Sequence, residues 1–205
     1  MNDLPASRYT LLIDGSVNPQ NGIGYGAFLL LTEEALATAT PQACSSINEQ
    51  IKTQRFNQTS STHLELETLL WALNTIPRCT QLTIYTDCQN IIKLPQRQQR
   101  LESVNYMNKQ GQQLPLAHLY IQFYQHYNLL KFALKKFKGH KPHRERTTID
   151  LLFSLVDQKA RASCRQLKGG TQGHYPLPRP NFNTSNFPEA LHEPNRRSHN
   201  AKIEP

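Results

Sequence analysis

The stretch Tyr9-Thr-Leu-Leu-Ile-Asp-Gly-Ser16, YTLLIDGS, decides how the chain folds. Tyr9, Leu11 and Ile13 alternate, as the residues on one face of a half-buried strand do, and Leu12 adds apolar bulk to the other face. Asp14 then ends the apolar run, followed at once by Gly15 and Ser16. Asp-Gly is a turn signal, so Asp14 can be a turn residue. It can also be a carboxylate placed for chemistry at the end of a buried strand. The rest of the sequence bears on that choice.

Outward from this stretch, residues 8–14 read as a first strand and GYGAFLLL, 24–31, as a second, joined by a turn-rich segment into a hairpin. INEQIKTQRF, 47–56, is a weak third strand, because its apolar residues do not alternate cleanly. Leu66, Leu69, Leu70 and Leu73 stand at i, i+3, i+4 and i+7, which predicts a helix from a Ser61 or Thr62 cap to Pro77. QLTIYTD, 81–87, is a strand ending in Asp. A helix follows over 88–94, ended or bent by Pro95, and 103–114 read as a loop. Residues 116–127 form an amphipathic helix, 129–137 a strand and 147–167 a last helix. The order predicts an α/β fold with a mixed sheet and helices on both faces.

The chain has 205 residues, 38% of them apolar, which is enough for one ordinary core. No run of about 18 apolar residues exists and the start lacks a signal-peptide pattern, so a cytoplasmic protein without a membrane span is expected. Cys44, Cys79, Cys88 and Cys164 show no CxxC or zinc spacing and read as free thiols. The net charge is +8, with basic residues gathered at 93–100 and 131–146. Such patches attract polyanions, nucleic acid first among them; they also serve simply as solvated surface.

Asp14, Asp87 and Glu65 each flank apolar sequence at positions that a sheet fold can bring together. Singly, each has a plain reading: a turn residue, a cap for the next helix, and an acid favoured by a helix N-terminus. Together, partly desolvated carboxylates repel, and a divalent cation removes the conflict. Oxygen ligands suit Mg2+ or Mn2+ rather than zinc.

Five segments in order then resemble one family. IDGS at 13–16 with GYGAFLL at 24–30, SSTHLELETLLWAL at 60–73, YTDCQNI at 85–91, KFKGHK at 136–141 and VDQKAR at 156–161 are similar to the motifs of type 1 ribonuclease H, bacterial-like. The resemblance implies a ribonuclease H-like five-stranded mixed sheet in which strands one and four are neighbours. It implies two Mg2+ ions held by four carboxylates, and endonucleolytic hydrolysis of the RNA strand of RNA–DNA hybrids. The expected catalytic residues are Asp14, Glu65, Asp87, His140 and Asp157. Asp14 would bridge both ions, Glu65 and Asp87 would hold one, Asp157 would complete the other, and His140 would shuttle a proton. For the fourth carboxylate, the spacing from His140 favours Asp150 and the following Ala-Arg favours Asp157; we take Asp157, with Asp150 as a first-turn acid. Gly15, Ser16, Asn18, Ser61, Thr62 and Gln89 match positions expected to touch the hybrid. Ser61 and Thr62 stand where the family often has paired asparagines, and Cys88 where it has serine.

The expected organisation is a catalytic domain over 1–167 and a Pro/Asn-rich, disordered tail over 168–205, in a monomeric protein. Two other classes fit clustered acids: a DNA nuclease or strand transferase on the same fold, and a catalytically silent hybrid-binding module.

Overall fold

The computed structural model describes residues 8–39, 44–76, 81–138 and 143–166. The tail read over 168–205 and His140 lie outside the described residues. The chain runs β1 (Arg8–Asn18), β2 (Ile23–Thr32), α1 (Glu33–Thr38), α2 (Cys44–Gln50), β3 (Lys52–Phe56), α3 (Ser61–Thr75), β4 (Gln81–Thr86), α4 (Gln89–Ile92), α5 (Leu94–Ser103), α6 (Ala117–Leu130), β5 (Ala133–Lys136) and α7 (Thr148–Gln166). The five strands form one mixed sheet in the order β3-β2-β1-β4-β5. β1 pairs antiparallel with β2 and parallel with β4, and β4 pairs parallel with β5.

Alternation along the strands divides the core in two. Leu11 and Ile13 of β1, Phe28 of β2, and Leu82 and Ile84 of β4 face α3 and the α4–α6 segment, meeting Leu66, Leu69, Leu73, Ile91, Leu101 and Phe123. Leu12, Ala27, Leu29 and Leu31 face the other way, onto Leu152, Phe153, Val156 and Ala160 of α7, with Ile47 and Ile51 completing that layer. Helices therefore cover both faces, as a sheet with a central parallel pair requires.

Several boundaries differ from the sequence reading. β1 does not stop at Asp14: it continues to Asn18, and Asp14 sits mid-strand opposite Ala27. Residues 47–56 are not one strand, since α2 ends at Gln50 and only Lys52–Phe56 pair with β2. β3 is a polar edge strand, so no apolar alternation marks it. Pro95 opens α5 rather than ending a helix, because a first-turn residue has no helical acceptor for the N–H that proline lacks. α6 runs on to Leu130 and is closed by Lys131 in the left-handed region at φ 47°, which shortens β5 to four residues. The cap position of α3 is Ser60, and neither Ser61 nor Thr62 occupies it.

Candidate active site

The site is built where β1 and β4 part. Their parallel pairing ends at Leu12↔Tyr85. Two residues further along each strand direction stand Asp14 and Asp87, level with one another and on the same face by the period of two. Asp87 directly follows β4, and the cap position of α4 belongs to Cys88, so Asp87 is not the helix cap.

Glu65 comes from α3, which lies on the opposite face. It is the fifth residue of that helix, one turn deeper than the first-turn position expected, and it is buried. Glycines let α3 come close enough. A Cβ on Gly15 would stand 2.9 Å from Leu64, and one on Gly24 would stand 2.7 Å from the same side chain. One on Gly26 would collide with Thr68. Gly15 and Gly26 are paired across the hairpin, so the three form a shallow bed for the first turns of the helix. The nearby Glu67 is turned away: Thr59 Oγ1 donates to its Oε2 at 2.9 Å, and His63 lies 3.6 Å from its Oε1.

As a result, Asp14, Glu65 and Asp87 each place a carboxylate oxygen within 4.8 Å of the others. Asp14 and Glu65 are 6% and 7% exposed, while Asp87 is exposed. Burial, then the charges of Asp87 and Asp157, push the Asp14 carboxyl up from 3.8 to about 8, against the opposing Gly15 N–H. That N–H donates to Asp14 Oδ1 at 2.7 Å. Glu65 is likewise pushed well above the usual carboxylate range, chiefly by burial and then by Asp14 and Asp87. Its Oε2 is buried with no hydrogen-bond partner. A buried, unpartnered carboxylate oxygen is costly, and here it faces two further acids. The set fits a hard divalent cation, which would satisfy Oε2 and cancel the repulsion.

Asp157 reaches the same place from α7. Its carboxyl stands near enough to Asp14 to help raise that acid, and it accepts from Arg161 Nε at 2.6 Å, one turn along the helix. Asp150 lines the same cleft but is turned to a structural task. Its Oδ2 accepts from Thr147 N and Thr147 Oγ1 at 2.7 and 2.6 Å, which is the reciprocal capping box of a helix start. The cleft has a volume of about 240 Å3 and is lined by Asp14, Asp87, Asp150 and Asp157 with Phe137, Lys138, Arg146, Phe153, Ser154 and Arg161. The Phe137 and Phe153 rings are stacked with centroids 3.9 Å apart. Sequence reading missed this pair as a wall of the cleft, because Phe153 looked like ordinary core. Arg161 was legible only as the fourth residue after Asp157, a spacing that favours an ion pair.

The residues expected to touch substrate fall in three places. Gly15 and Ser16 continue β1 from Asp14. Asn18 ends β1 at the hairpin turn, where its Oδ1 accepts from Gln20 N–H. Ser61 is exposed at the start of α3, and Thr62 Oγ1 accepts from Asn90 Nδ2 at 3.3 Å, linking the starts of α3 and α4. Gln89 accepts from Lys136 Nζ at 2.6 Å. Asn90 was not foreseen.

None of the curated proteins matches this chain. Two solved structures of a foamy viral protease-reverse transcriptase are similar. One is in complex with dsDNA, at 12% identity and TM-score 0.52, covering 77% of this chain and 95% of that one. The other is in complex with RNA/DNA hybrid, at 10% identity and TM-score 0.53, covering 81% of this chain and 21% of that one. At such identities the likeness is one of fold. Among the described residues, no helix is long and apolar enough to cross a membrane. The family profile for RNase H matches residues 6–158, a span that holds every strand of the sheet and Asp14, Glu65, Asp87 and Asp157, and the chain belongs to the ribonuclease H family.

Proposed function

We propose that the protein is an endonuclease that hydrolyses the RNA strand of RNA–DNA hybrids. The observation that carries this reading is the unpartnered, buried Glu65 Oε2 within 4.8 Å of Asp14 and Asp87 oxygens. Family membership supplies the substrate class. The complex of the similar viral protein with RNA/DNA hybrid agrees with it.

Asp14, Glu65, Asp87 and Asp157 would hold two Mg2+ ions, with Mn2+ able to substitute. Bound there, the cations would supply the positive charge that phosphodiester hydrolysis needs at the attacking water and at the departing 3′ oxygen. Asp14 sits centrally, with the other three acids around it. Gly15 and Ser16 present backbone beside it, and Ser61, Thr62, Gln89 and Asn18 would meet the hybrid along the rim. His140 would carry the proton to or from the reacting phosphate. Selection for RNA would rest on contacts with the 2′-hydroxyl, the group that distinguishes the two strands.

The test is a labelled RNA–DNA duplex incubated with the protein and Mg2+, beside duplex DNA and duplex RNA. Cutting of the RNA strand of the hybrid alone is expected, and it should vanish with a chelator or with Asp14→Asn. Equal cutting of plain duplex DNA would move the protein to the DNA nuclease class. Binding of hybrid without Mg2+-dependent cutting would make it a silent binding module.

A further inference from the structure

The exposed contact between Lys136 and Gln89 has no stabilising task large enough to explain it. Surface bonds of this kind contribute little to stability. Its effect is directional. Lys136 lies on the edge strand β5, opposite Thr86 in the parallel pairing with β4. Gln89 opens α4 three residues after Thr86 and two after Asp87. The ammonium group donates to Gln89 Oε1 at 2.6 Å. An ammonium has three donors and no acceptor, so only one orientation of the amide satisfies it. A free glutamine can turn its amide over and offer either a donor or an acceptor. This one is held with its Nε2 hydrogens directed away from Lys136.

We propose that Lys136 is a positioning residue that fixes Gln89 as a hydrogen-bond donor, so that Gln89 recognises an acceptor atom of the hybrid. This rests on the reading of Gln89 as a substrate contact. The partner on the nucleic acid is then a ring nitrogen, a carbonyl oxygen or a sugar oxygen, and not an N–H group.

The experiment measures hybrid affinity in the cleavage-blocked Asp14→Asn protein, with Lys136→Met and Gln89→Ala singly and together. Lys136→Met is expected to weaken binding about threefold to tenfold, and to do nothing further once Gln89 is alanine. Lys136→Arg, also donor-only, should restore affinity. Gln89→Glu keeps the Lys136 contact but replaces the donor with an acceptor, and should weaken binding at least as much as Gln89→Ala. Equal weakening by Lys136→Met in both backgrounds would make Lys136 a direct phosphate contact and overturn the proposal. So would no weakening in either, failure of Lys136→Arg to rescue, or undiminished binding by Gln89→Glu. If the Asp14→Asn parent binds no hybrid at all, it is the proposed function that fails.

Discussion

Leu64 fills the space that a side chain on Gly15 would need, its Cγ and Cδ2 lying 2.9 Å from where that Cβ would stand. This contact sets how closely α3 approaches β1, and so how far Glu65 reaches over the sheet toward Asp14. Gly15→Ala forces Leu64 to move, and such overpacking costs about 1–3 kcal/mol. The larger effect is expected on the cation site. In Gly15→Ala, Mg2+ affinity measured by calorimetry should fall even at temperatures where circular dichroism shows full folding. Unchanged affinity would mean that α3 can withdraw without carrying Glu65 off the cluster.

Glu65 and Glu67 differ by two positions and have opposite tasks. Glu65 Oε2 is unpartnered and faces acids, whereas Glu67 is tied to Thr59 and lies beside His63. Glu65→Gln should abolish Mg2+-dependent cutting and stabilise the cation-free protein, because it removes a buried charge. Glu67→Gln should cost about 1 kcal/mol through the weakened Thr59 bond and leave cutting near the wild-type rate. Thermal melts and hybrid cleavage on both variants check this, and the reverse pattern would reassign the catalytic glutamate.

How much of this was legible in the sequence follows from where apolar residues are dense. β1 was plain because its apolar residues fill both core layers, Leu11 and Ile13 one and Leu12 the other, and α3 because its leucines pack along the sheet; those two elements carry Asp14 and Glu65. β3 was obscure because it is a polar edge strand, and the start of β5 was misread because Leu129 and Leu130 still belong to α6. Asp14 was misplaced at a strand end because Asp-Gly mimics a turn. In the structure Gly15 and Gly26 are there for helix packing, a tertiary demand that local spacing does not express. For Asp150 and Asp157 the sequence pulled two ways, the spacing from His140 to the first and the following Ala-Arg to the second, and both line the cleft. The difference lies in Thr147, which engages one of them.

The raised carboxyls make stability depend on pH and on cations together. In the unfolded chain Asp14 loses its proton near 3.8, but in the folded, cation-free chain it keeps it to about 8. The folded form therefore binds more protons across that window, and stability must fall as pH rises from about 4 to about 8. Glu65 is shifted in the same direction and adds to the slope. The melting temperature of chelated protein should drop across this range, and Mg2+ should raise it most at the alkaline end, where the acids are ready to bind. Asp14→Asn should flatten the pH dependence and reduce the Mg2+ response. A melting temperature indifferent to both pH and Mg2+ would mean that the acids are solvated and hold no cation.

Asp157 and Asp150 stand two helical turns apart on α7, about 10.5 Å along its axis, so one cation cannot bind both. Asp157 stands beside Asp14 and raises it, while Asp150 closes the capping box with Thr147. Asp157→Asn should therefore cut the rate of hybrid cleavage by at least about 100-fold, since it strips charge from the site itself. It should leave the melting temperature of the cation-free protein equal or higher, because an acid repelling Asp14 is gone. Asp150→Asn should do the opposite. The N–H and the hydroxyl of Thr147, which both donate to the one charged oxygen Oδ2, are left with a neutral amide oxygen, at a cost of about 1 kcal/mol in stability. Cleavage at a temperature where that variant is folded should stay within a few-fold of wild type. Measured side by side, a large rate loss in Asp150→Asn with Asp157→Asn still active would transfer the fourth carboxylate to the start of α7.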